Sequence, residues 1–179
     1  VHRKKNKKKQ PDPGLGRRAP FFVTMADLID LSNIAPNNRW GYKYLLTMTC
    51  KEYGVVKVYP LRSKADVAPA WIQFQQWLKI IAPYVEAKLG MTPMVVIFAS
   101  DRGSEFMTTK GTTRGELDEI LHACGVARWT PSTGDSNKLG QVERFNRTLM
   151  ENINEMLMKK NAGVDYVLDA ATFFEQHFN

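Results

Sequence analysis

Three short stretches of the sequence each place an acidic residue in an apolar setting: MADLIDL (Met25–Leu31), VVIFASDRGSEF (Val95–Phe106) and GQVERFNRTL (Gly140–Leu149). The candidate acids are Asp27, Asp101 and Glu143. An aspartate directly after an apolar strand is either a turn residue or a carboxylate presented to a site, and for Asp101 alone the turn is favoured. Three carboxylates brought together would repel one another unless a proton or a cation lay between them.

Oxygen ligands without cysteine or histidine favour Mg²⁺ or Mn²⁺, so these acids would suit divalent-metal chemistry. Two such ions a few ångströms apart would hold the attacking and leaving oxygens of an in-line phosphoryl displacement. One ion would lower the pKa of a water or 3′-hydroxyl nucleophile, and the other would stabilise the leaving 3′-oxygen. No Ser-His or Cys-His arrangement indicates a covalent enzyme intermediate.

The elements that must position these acids are visible in the hydrophobic pattern. Five strands are predicted, at Phe21–Leu31, Tyr42–Cys50, Val55–Leu61, Val95–Ser100 and Val126–Thr130. The first strand is apolar on both faces, so we expect it to be central in the sheet. Short connections make the first three strands antiparallel neighbours, and a helical crossover before the fourth makes that strand parallel to an earlier one.

Helices are predicted between and after these strands, at Ser63–Leu89 with a break near Pro83, Gly115–Cys124, Gln141–Lys160 and Asp165–Phe178. The polar segment Pro131–Gly140 is predicted to be a loop. The order of elements predicts an α/β protein, with a five-stranded mixed sheet flanked by helices. Glu143 lies beside the apolar stripe of its helix, about 100° from Val142, so it can face the edge where the aspartates lie.

Composition indicates a globular protein, since 44% of the 179 residues are hydrophobic and 24% are charged. No apolar run is long enough to span a membrane, and no signal-peptide pattern opens the chain. The two cysteines, Cys50 and Cys124, form no CxxC pair, and we expect buried free thiols and no zinc site. Because the first residue is Val, we expect a fragment or a processed piece of a longer protein.

The net charge of +7 is concentrated at the start of the chain. Val1–Arg18 holds eight basic residues and one acidic residue, whereas the remainder holds 17 of each. Residues 1–20 are therefore predicted to be a disordered tail that contacts nucleic acid, serves as a nuclear-import signal, or links to an upstream domain. The lysines expected to contact DNA are Lys4, Lys5, Lys7, Lys8 and Lys9.

The three acidic stretches resemble blocks of the retroviral-type (rve) integrases of the DDE superfamily. In GQVERFNRTL, Glu143 is followed by Asn146 and then Arg147, as the catalytic Glu of that family is followed by an Asn and a basic residue. DRGSEF resembles the block with the second catalytic Asp, and MADLIDL the block with the first. The resemblance spans about residues 22–179, and it is strongest to integrases of Maverick/Polinton-type elements and long-terminal-repeat retroelements.

The resemblance implies a ribonuclease-H-like fold and a catalytic core at residues 21–179, incomplete at its C-terminal end. It implies metal-dependent 3′-end processing of element DNA and strand transfer into target DNA, by a homo-oligomer in the nucleus. Asp27, Asp101 and Glu143 would be both catalytic residues and ligands of two Mg²⁺ (or Mn²⁺) ions. Double-stranded DNA would be bound by the tail lysines and by Lys138, Arg144, Asn146 and Arg147.

Several alternatives stay open at the level of sequence. Asp30 could be the first acid in place of Asp27, although the register of the motif favours Asp27. Glu143 could be a surface acid that pairs with Arg147 one helical turn later. The whole domain could be a related metal nuclease without strand transfer, or a non-catalytic DNA-binding module.

Overall fold

The computed structural model describes residues 18–36, 38–101, 115–132 and 139–178. The strands are β1 (Val23–Asp30), β2 (Tyr44–Cys50), β3 (Val56–Leu61), β4 (Ile97–Ala99) and β5 (Ala127–Trp129). The α-helices are α1 (Val67–Leu89), α2 (Glu116–Ala123), α3 (Gly140–Lys159) and α4 (Val167–Phe178). Short 3₁₀ turns at Lys64–Asp66 and Val164–Tyr166 lead into α1 and α4.

The five strands form one mixed sheet in the order β3-β2-β1-β4-β5, which confirms the predicted architecture and the central position of β1. β1 pairs antiparallel with β2, and β2 pairs antiparallel with β3. On the other side, β1 pairs parallel with β4, and β4 parallel with β5. The first residues of β1 are thus flanked by one strand of each direction, and Asp27 lies two residues beyond the last pair with β4, opposite Thr47 of β2.

α1 covers one face of the sheet through an aromatic core. Trp71 and Phe74 are fully buried, and the Trp71 ring lies edge-on to Phe98 of β4 at 5.1 Å. Ala26 of β1 and Leu46 of β2 belong to the same cluster. The buried side of α1 is therefore core packing, which fixes the sheet from behind and leaves its other face for the site.

The other face of the sheet is covered by α3 and α4. Leu149 and Ile153 of α3 are fully buried, and they pack with Leu45 of β2, Val58 of β3 and Val167 of α4. The apolar stripe of α3 is in this way anchored along its middle. Its first turn, which carries Glu143, is held over β1 and β4 by Val142.

Two details differ from the sequence-based predictions. α1 continues through Pro83 without the predicted break. Proline cannot donate to the carbonyl of Lys79, but both residues lie on the exposed side of the helix, where water can bind that carbonyl. Cys124 is exposed rather than buried, whereas Cys50 is buried. Across the described residues, every helix is too short or too polar to cross a membrane.

A buried carboxylate closes the free edge of the sheet at β3. Glu175 of α4 accepts a hydrogen bond from the backbone N–H of Val58 at 2.8 Å and pairs with Lys57. An edge strand otherwise leaves such groups unpaired, ready to bind another chain. Glu175 is only 8% exposed, so its contacts are shielded from water.

We predict that Glu175→Ala lowers the free energy of unfolding by about 1–3 kcal/mol, because the buried N–H of Val58 loses its acceptor. Denaturant unfolding checks this. The matched control is Glu155→Ala, which removes an exposed pair with Lys159 on α3 and should leave the free energy of unfolding nearly unchanged. Equal effects of the two substitutions would contradict the assigned role of Glu175.

Candidate active site

Asp27 is half-buried in the middle of β1, on the face of the sheet that α3 covers. Its Oδ1 accepts a hydrogen bond from the backbone N–H of Leu28 at 2.8 Å. Its Oδ2 accepts one from the side-chain amide of Asn146 at 2.7 Å. A carboxylate can accept about four hydrogen bonds, so these contacts fix its rotamer and leave lone pairs for a further ligand.

Thr47 of β2 sets the orientation of the Asn146 amide. β2 pairs with β1 so that Thr47 lies directly opposite Asp27. The Thr47 hydroxyl donates to Oδ1 of Asn146 at 2.7 Å, with the backbone carbonyl of Asp27 at 3.2 Å as a second acceptor. Because Oδ1 of Asn146 accepts from Thr47, its NH₂ group faces Asp27, whose ionised form can only accept. Asn146 is 9% exposed, and its side chain is committed to this chain of contacts.

The other two acids lie beside Asp27. β4 pairs with β1 in the register Met25↔Ala99, and Asp101 follows two residues later, as Asp27 follows Met25. Side chains two apart on a strand share a face, so Asp27 is directed to the α3 side as Met25 is, and Asp101 lies two residues beyond the end of β4. Glu143 is in the first turn of α3, three residues before Asn146. Both Asp101 and Glu143 are exposed and act electrostatically on Asp27.

Burial raises the pKa of Asp27 above its ordinary value of 3.8. The hydrogen bonds that Asp27 accepts from Leu28 and Asn146 lower its pKa. The negative charges of Asp101 and Glu143 raise it further. The net result is a carboxylate whose charge is unfavourable in the protein alone. A bound cation would relieve both the burial and the repulsion.

The three acids adjoin one another without forming a closed ligand set. Among the residues that the structure describes, no group of three or more His, Cys, Asp or Glu side chains converges as a metal cage does. The chemistry of the donors nevertheless fits Mg²⁺, which binds through one or two carboxylates and keeps several waters. The repulsion of Asp27 by the other two acids also favours a bound cation.

Asp30, the alternative first acid, has a different environment. It lies three residues beyond Asp27, on the opposite face of β1, and is exposed. Its Oδ1 accepts from the N–H of Ser32 at 2.8 Å, and this hydrogen bond lowers the pKa of Asp30. Asp30 therefore terminates the strand in a turn, while Asp27 faces the other acids.

Glu143 does not form the alternative ion pair with Arg147. Within the described part of the chain, no ion pair joins Glu143 to Arg147, although both lie on the exposed side of α3. Glu143 is thus available to the site rather than tied to its own helix. Its role as a catalytic residue stays a prediction.

The predicted DNA-binding residues divide into three groups. Arg144 and Arg147 are exposed on the first two turns of α3, beside the acids. Asn146 is turned inward to Asp27 and Thr47, so its side chain positions an acid. Direct contact between Asn146 and DNA stays a prediction. Lys138 and the tail residues Lys4, Lys5, Lys7, Lys8 and Lys9 lie outside the described residues.

Comparison of the whole chain with solved structures identifies its fold. The HTLV-2 integrase catalytic core domain in complex with magnesium (trimeric form) aligns with 87% of this chain and 85% of its own length, with 18% identity and a TM-score of 0.51. The catalytic core domain of BIV integrase aligns with 86% of this chain and 82% of its own, with 17% identity and a TM-score of 0.55. The fold is ribonuclease-H-like. This confirms the predicted fold class.

The likeness to these retroviral integrase cores lies in structure rather than in sequence. No protein-family model matches the sequence, and no curated protein matches it. At such low identity the comparison shows the fold alone, so the function must be argued from the site itself.

Sequence reasoning missed Thr47 as a part of the site. A signal was present, because Thr47 and Thr49 are polar residues at alternate positions of an otherwise apolar strand. Alternate positions lie on one face, so a buried polar side chain there indicates a hydrogen-bonding partner on that side; Thr47 has one, whereas the Thr49 hydroxyl has none among the described residues. The partner, Asn146, lies 99 residues later in the chain and could not be assigned without the fold.

We predict that Asp27→Asn makes the metal-free protein more stable than the parent at neutral pH. The raised pKa of Asp27 means that the folded protein binds its proton more tightly than the unfolded chain does, so stability falls as pH rises from 3.8 through the raised pKa. The amide cannot ionise and escapes this loss. A flip of the Asn146 amide, with Thr47 as acceptor, would satisfy the new side chain. Denaturant unfolding across pH 3–8 in EDTA measures the difference.

Asp30→Asn is the matched control, with the opposite sign. The lowered pKa of Asp30 contributes stability that is present above 3.8 and is lost as pH falls through the lowered pKa. This variant should therefore be less stable than the parent at neutral pH, and the difference should vanish in acid. If Asp27→Asn behaved in the same way as Asp30→Asn, the environment assigned to Asp27 would be wrong.

Proposed function

We propose that this chain is the catalytic core of a DNA integrase that performs 3′-end processing of element DNA and strand transfer into target DNA. The observation that supports the proposal is the environment of Asp27. This residue lies on the central strand of a fold shared with retroviral integrase cores, is oriented by Asn146, and is repelled by Asp101 and Glu143. A half-buried acid under such repulsion is a functional-site signal.

The proposed cofactor is Mg²⁺ or Mn²⁺, with two ions per site held by Asp27, Asp101 and Glu143. Support comes from the oxygen-only donor set and from the HTLV-2 core, which was solved in complex with magnesium. When bound, such ions supply activation of the attacking hydroxyl and stabilisation of the leaving oxygen in an in-line displacement.

The protein's own contribution is to fix the first carboxylate before any ligand arrives. Leu28 and Asn146 donate to different oxygens of Asp27, and Thr47 prevents Asn146 from turning its carbonyl toward it. Pre-organised acids lose little freedom when they bind, which favours a defined geometry at the reacting phosphate. Asp101 and Glu143 are exposed and can approach a ligand held at Asp27.

The proposed macromolecular partner is double-stranded DNA, both element ends and target. The basic tail at residues 1–20 would supply non-specific contacts with phosphates, and Arg144 and Arg147 would supply contacts beside the acids. We propose a homo-oligomer acting in the nucleus, and an origin in a Maverick/Polinton-type or long-terminal-repeat element. The trimeric form of the HTLV-2 core supports the proposed homo-oligomer.

We predict that Asp101→Asn and Glu143→Gln each abolish end trimming and joining while the protein stays folded. Each amide keeps the shape of the side chain but removes the charge that a divalent cation needs. The assay is metal-dependent trimming of a labelled duplex end and its joining to a plasmid. Losses of a hundredfold or more are expected, as for the removal of a group that acts on developing charge.

Asp30→Asn is the control substitution, and it should leave trimming and joining largely intact because Asp30 lies on the other face of β1. Circular dichroism must show that each inactive variant is folded. Trimming without joining by the parent would indicate a nuclease, and DNA binding without either reaction would indicate a non-catalytic module. Joining that survives Glu143→Gln would overturn the assignment of the three acids.

A further inference from the structure

A recess walled by tyrosine and proline side chains lies at the end of β3, on the face of the sheet that α1 covers. We call it the tyrosine recess, and its lining includes Tyr42, Tyr59, Pro60, Arg62 and Pro69. Its volume is about 430 Å³, within the range of ligand-binding cavities. Leu61 and Ala70 also line it and belong to the core beneath α1. The tyrosine recess therefore lies on the opposite face of the sheet from the Asp27 carboxylate.

Tyr59 brings a buried hydrogen-bond donor to the tyrosine recess. The residue is 8% exposed, and its hydroxyl has no hydrogen-bond partner among the described residues. Burial raises the pKa of this hydroxyl, and the negative charge of Glu175 raises it further, so the hydroxyl keeps its proton and can donate. A buried donor without an acceptor costs about 1–3 kcal/mol, and a ligand that brings an acceptor recovers part of that cost.

Arg62 adds a positive charge to the same recess. Its guanidinium lies over the Tyr42 ring at 5.3 Å and forms no ion pair within the part of the chain that the structure describes. The acid in the lining, Asp66, accepts hydrogen bonds from the backbone N–H groups of Arg62 at 3.0 Å and Ser63 at 2.8 Å. The tyrosine recess therefore suits a ligand with apolar rings, hydrogen-bond acceptors and a negative charge.

A proline-containing peptide in the polyproline II conformation has these properties. This conformation has no internal hydrogen bonds, so its backbone carbonyls are free to accept from a binding surface. Its pyrrolidine rings pack against aromatic side chains, which is how proline-rich segments bind aromatic-lined grooves. The ligand class that fits the tyrosine recess is therefore a short proline-containing segment that carries an acid.

The sequence of this chain contains such a segment at residues 10–13, QPDP. Pro11 and Pro13 are the two prolines that lie closest together in the chain, and Asp12 between them is the one acid of the basic tail. Proline fixes its own φ, and it confines the residue before it to extended conformations. Each of these four residues carries one of the two constraints, so the segment loses little conformational entropy when it binds as polyproline II.

The length of the tail prevents this segment from reaching the tyrosine recess of its own chain. Arg18 and Val23 line one cavity at the start of β1, whereas Leu61 in the recess lies level with Asp30 at the end of β1. The two ends of β1 are about 23 Å apart, before any sideways step from β1 to β3. Asp12 precedes Arg18 by six residues, which extend at most about 22 Å. The segment that meets the recess must therefore come from another copy.

We propose that the tyrosine recess binds residues 10–13 of a second copy of this chain. Asp12 of the incoming segment pairs with Arg62, its prolines pack against the tyrosine rings, and the Tyr59 hydroxyl donates to one of its carbonyls. Two copies that exchange tails in this way form a closed dimer, because each supplies one segment and one recess. The contact goes beyond the proposed catalysis, since it involves neither the three acids nor DNA.

The first test measures binding of a fluorescent peptide with the sequence of residues 7–16, KKKQPDPGLG, to the full chain by fluorescence anisotropy. The parent should bind this peptide saturably. A peptide in which Ala replaces both prolines keeps every charge and should lose most of the affinity. If the two peptides bound equally, charge alone would explain the binding and the proposal would be overturned.

A double-mutant cycle tests the ion pair between the peptide and the recess. Arg62→Gln in the chain and Asp12→Asn in the peptide should each weaken binding by about two- to fivefold, and the two together should weaken it no further. Effects that multiply independently would overturn the assigned pair. The matched control is Lys88→Gln, which removes an exposed cation at the far end of α1 and should leave the affinity unchanged.

Tyr59→Phe tests the buried hydroxyl, because it keeps the ring and removes the donor. This variant should bind the peptide about two- to tenfold more weakly, as expected for the loss of one hydrogen bond. It should unfold at the same or a higher denaturant concentration than the parent, since an unpartnered buried hydroxyl is removed. Unchanged binding, or a loss of stability together with binding, would contradict the role of Tyr59 as a donor to the segment.

Photo-crosslinking in the full chain tests whether the segment comes from a second copy. A benzophenone amino acid replaces Gln10, and this variant is mixed with isotope-labelled parent before irradiation. Crosslinks to residues 59–73 that join labelled to unlabelled chains support the proposal, and crosslinks confined to single chains overturn it. These measurements use neither DNA nor metal, so their failure is distinguishable from failure of the proposed integrase function, which is read from joining activity.

Discussion

The carboxylate of Asp27 is held in the central strand where its negative charge is poorly solvated and is repelled by two other acids. The protein tolerates it through two hydrogen bonds, one from the backbone of Leu28 and one from the amide of Asn146. A buried charge without such partners would cost several kcal/mol. These bonds leave the repulsion itself unrelieved, and the proposed cation would relieve it.

The strand order explains how four distant residues meet there. Because β1 lies between an antiparallel and a parallel neighbour, Thr47 is brought opposite Asp27 on one side and Asp101 follows β4 on the other. α3 then crosses the same face, carrying Glu143 and Asn146 on successive turns. The aromatic core under α1 and the cap of β3 by Glu175 keep this arrangement rigid from behind and at the edge.

Much of this arrangement could be predicted from the sequence, because it depends on local periodicity. The apolar runs located every strand, and the spacing of apolar residues on α3 located the face that packs. The inward turn of Asn146 could not be predicted, since its hydrogen-bond partners lie about a hundred residues earlier in the chain. The helix through Pro83 shows solvent exposure overriding a local preference for a break.

The central claim, that a half-buried carboxylate repelled by two exposed acids defines the site at Asp27, is tested most directly by measuring the pKa of that side chain. Carboxyl-carbon nuclear magnetic resonance, assigned with Asp27→Asn, follows the titration with and without Mg²⁺. The account predicts a pKa above 3.8 in the metal-free protein, which falls when Mg²⁺ is added and also falls in Asp101→Asn. A pKa at or below 3.8 that responds to neither change would contradict it.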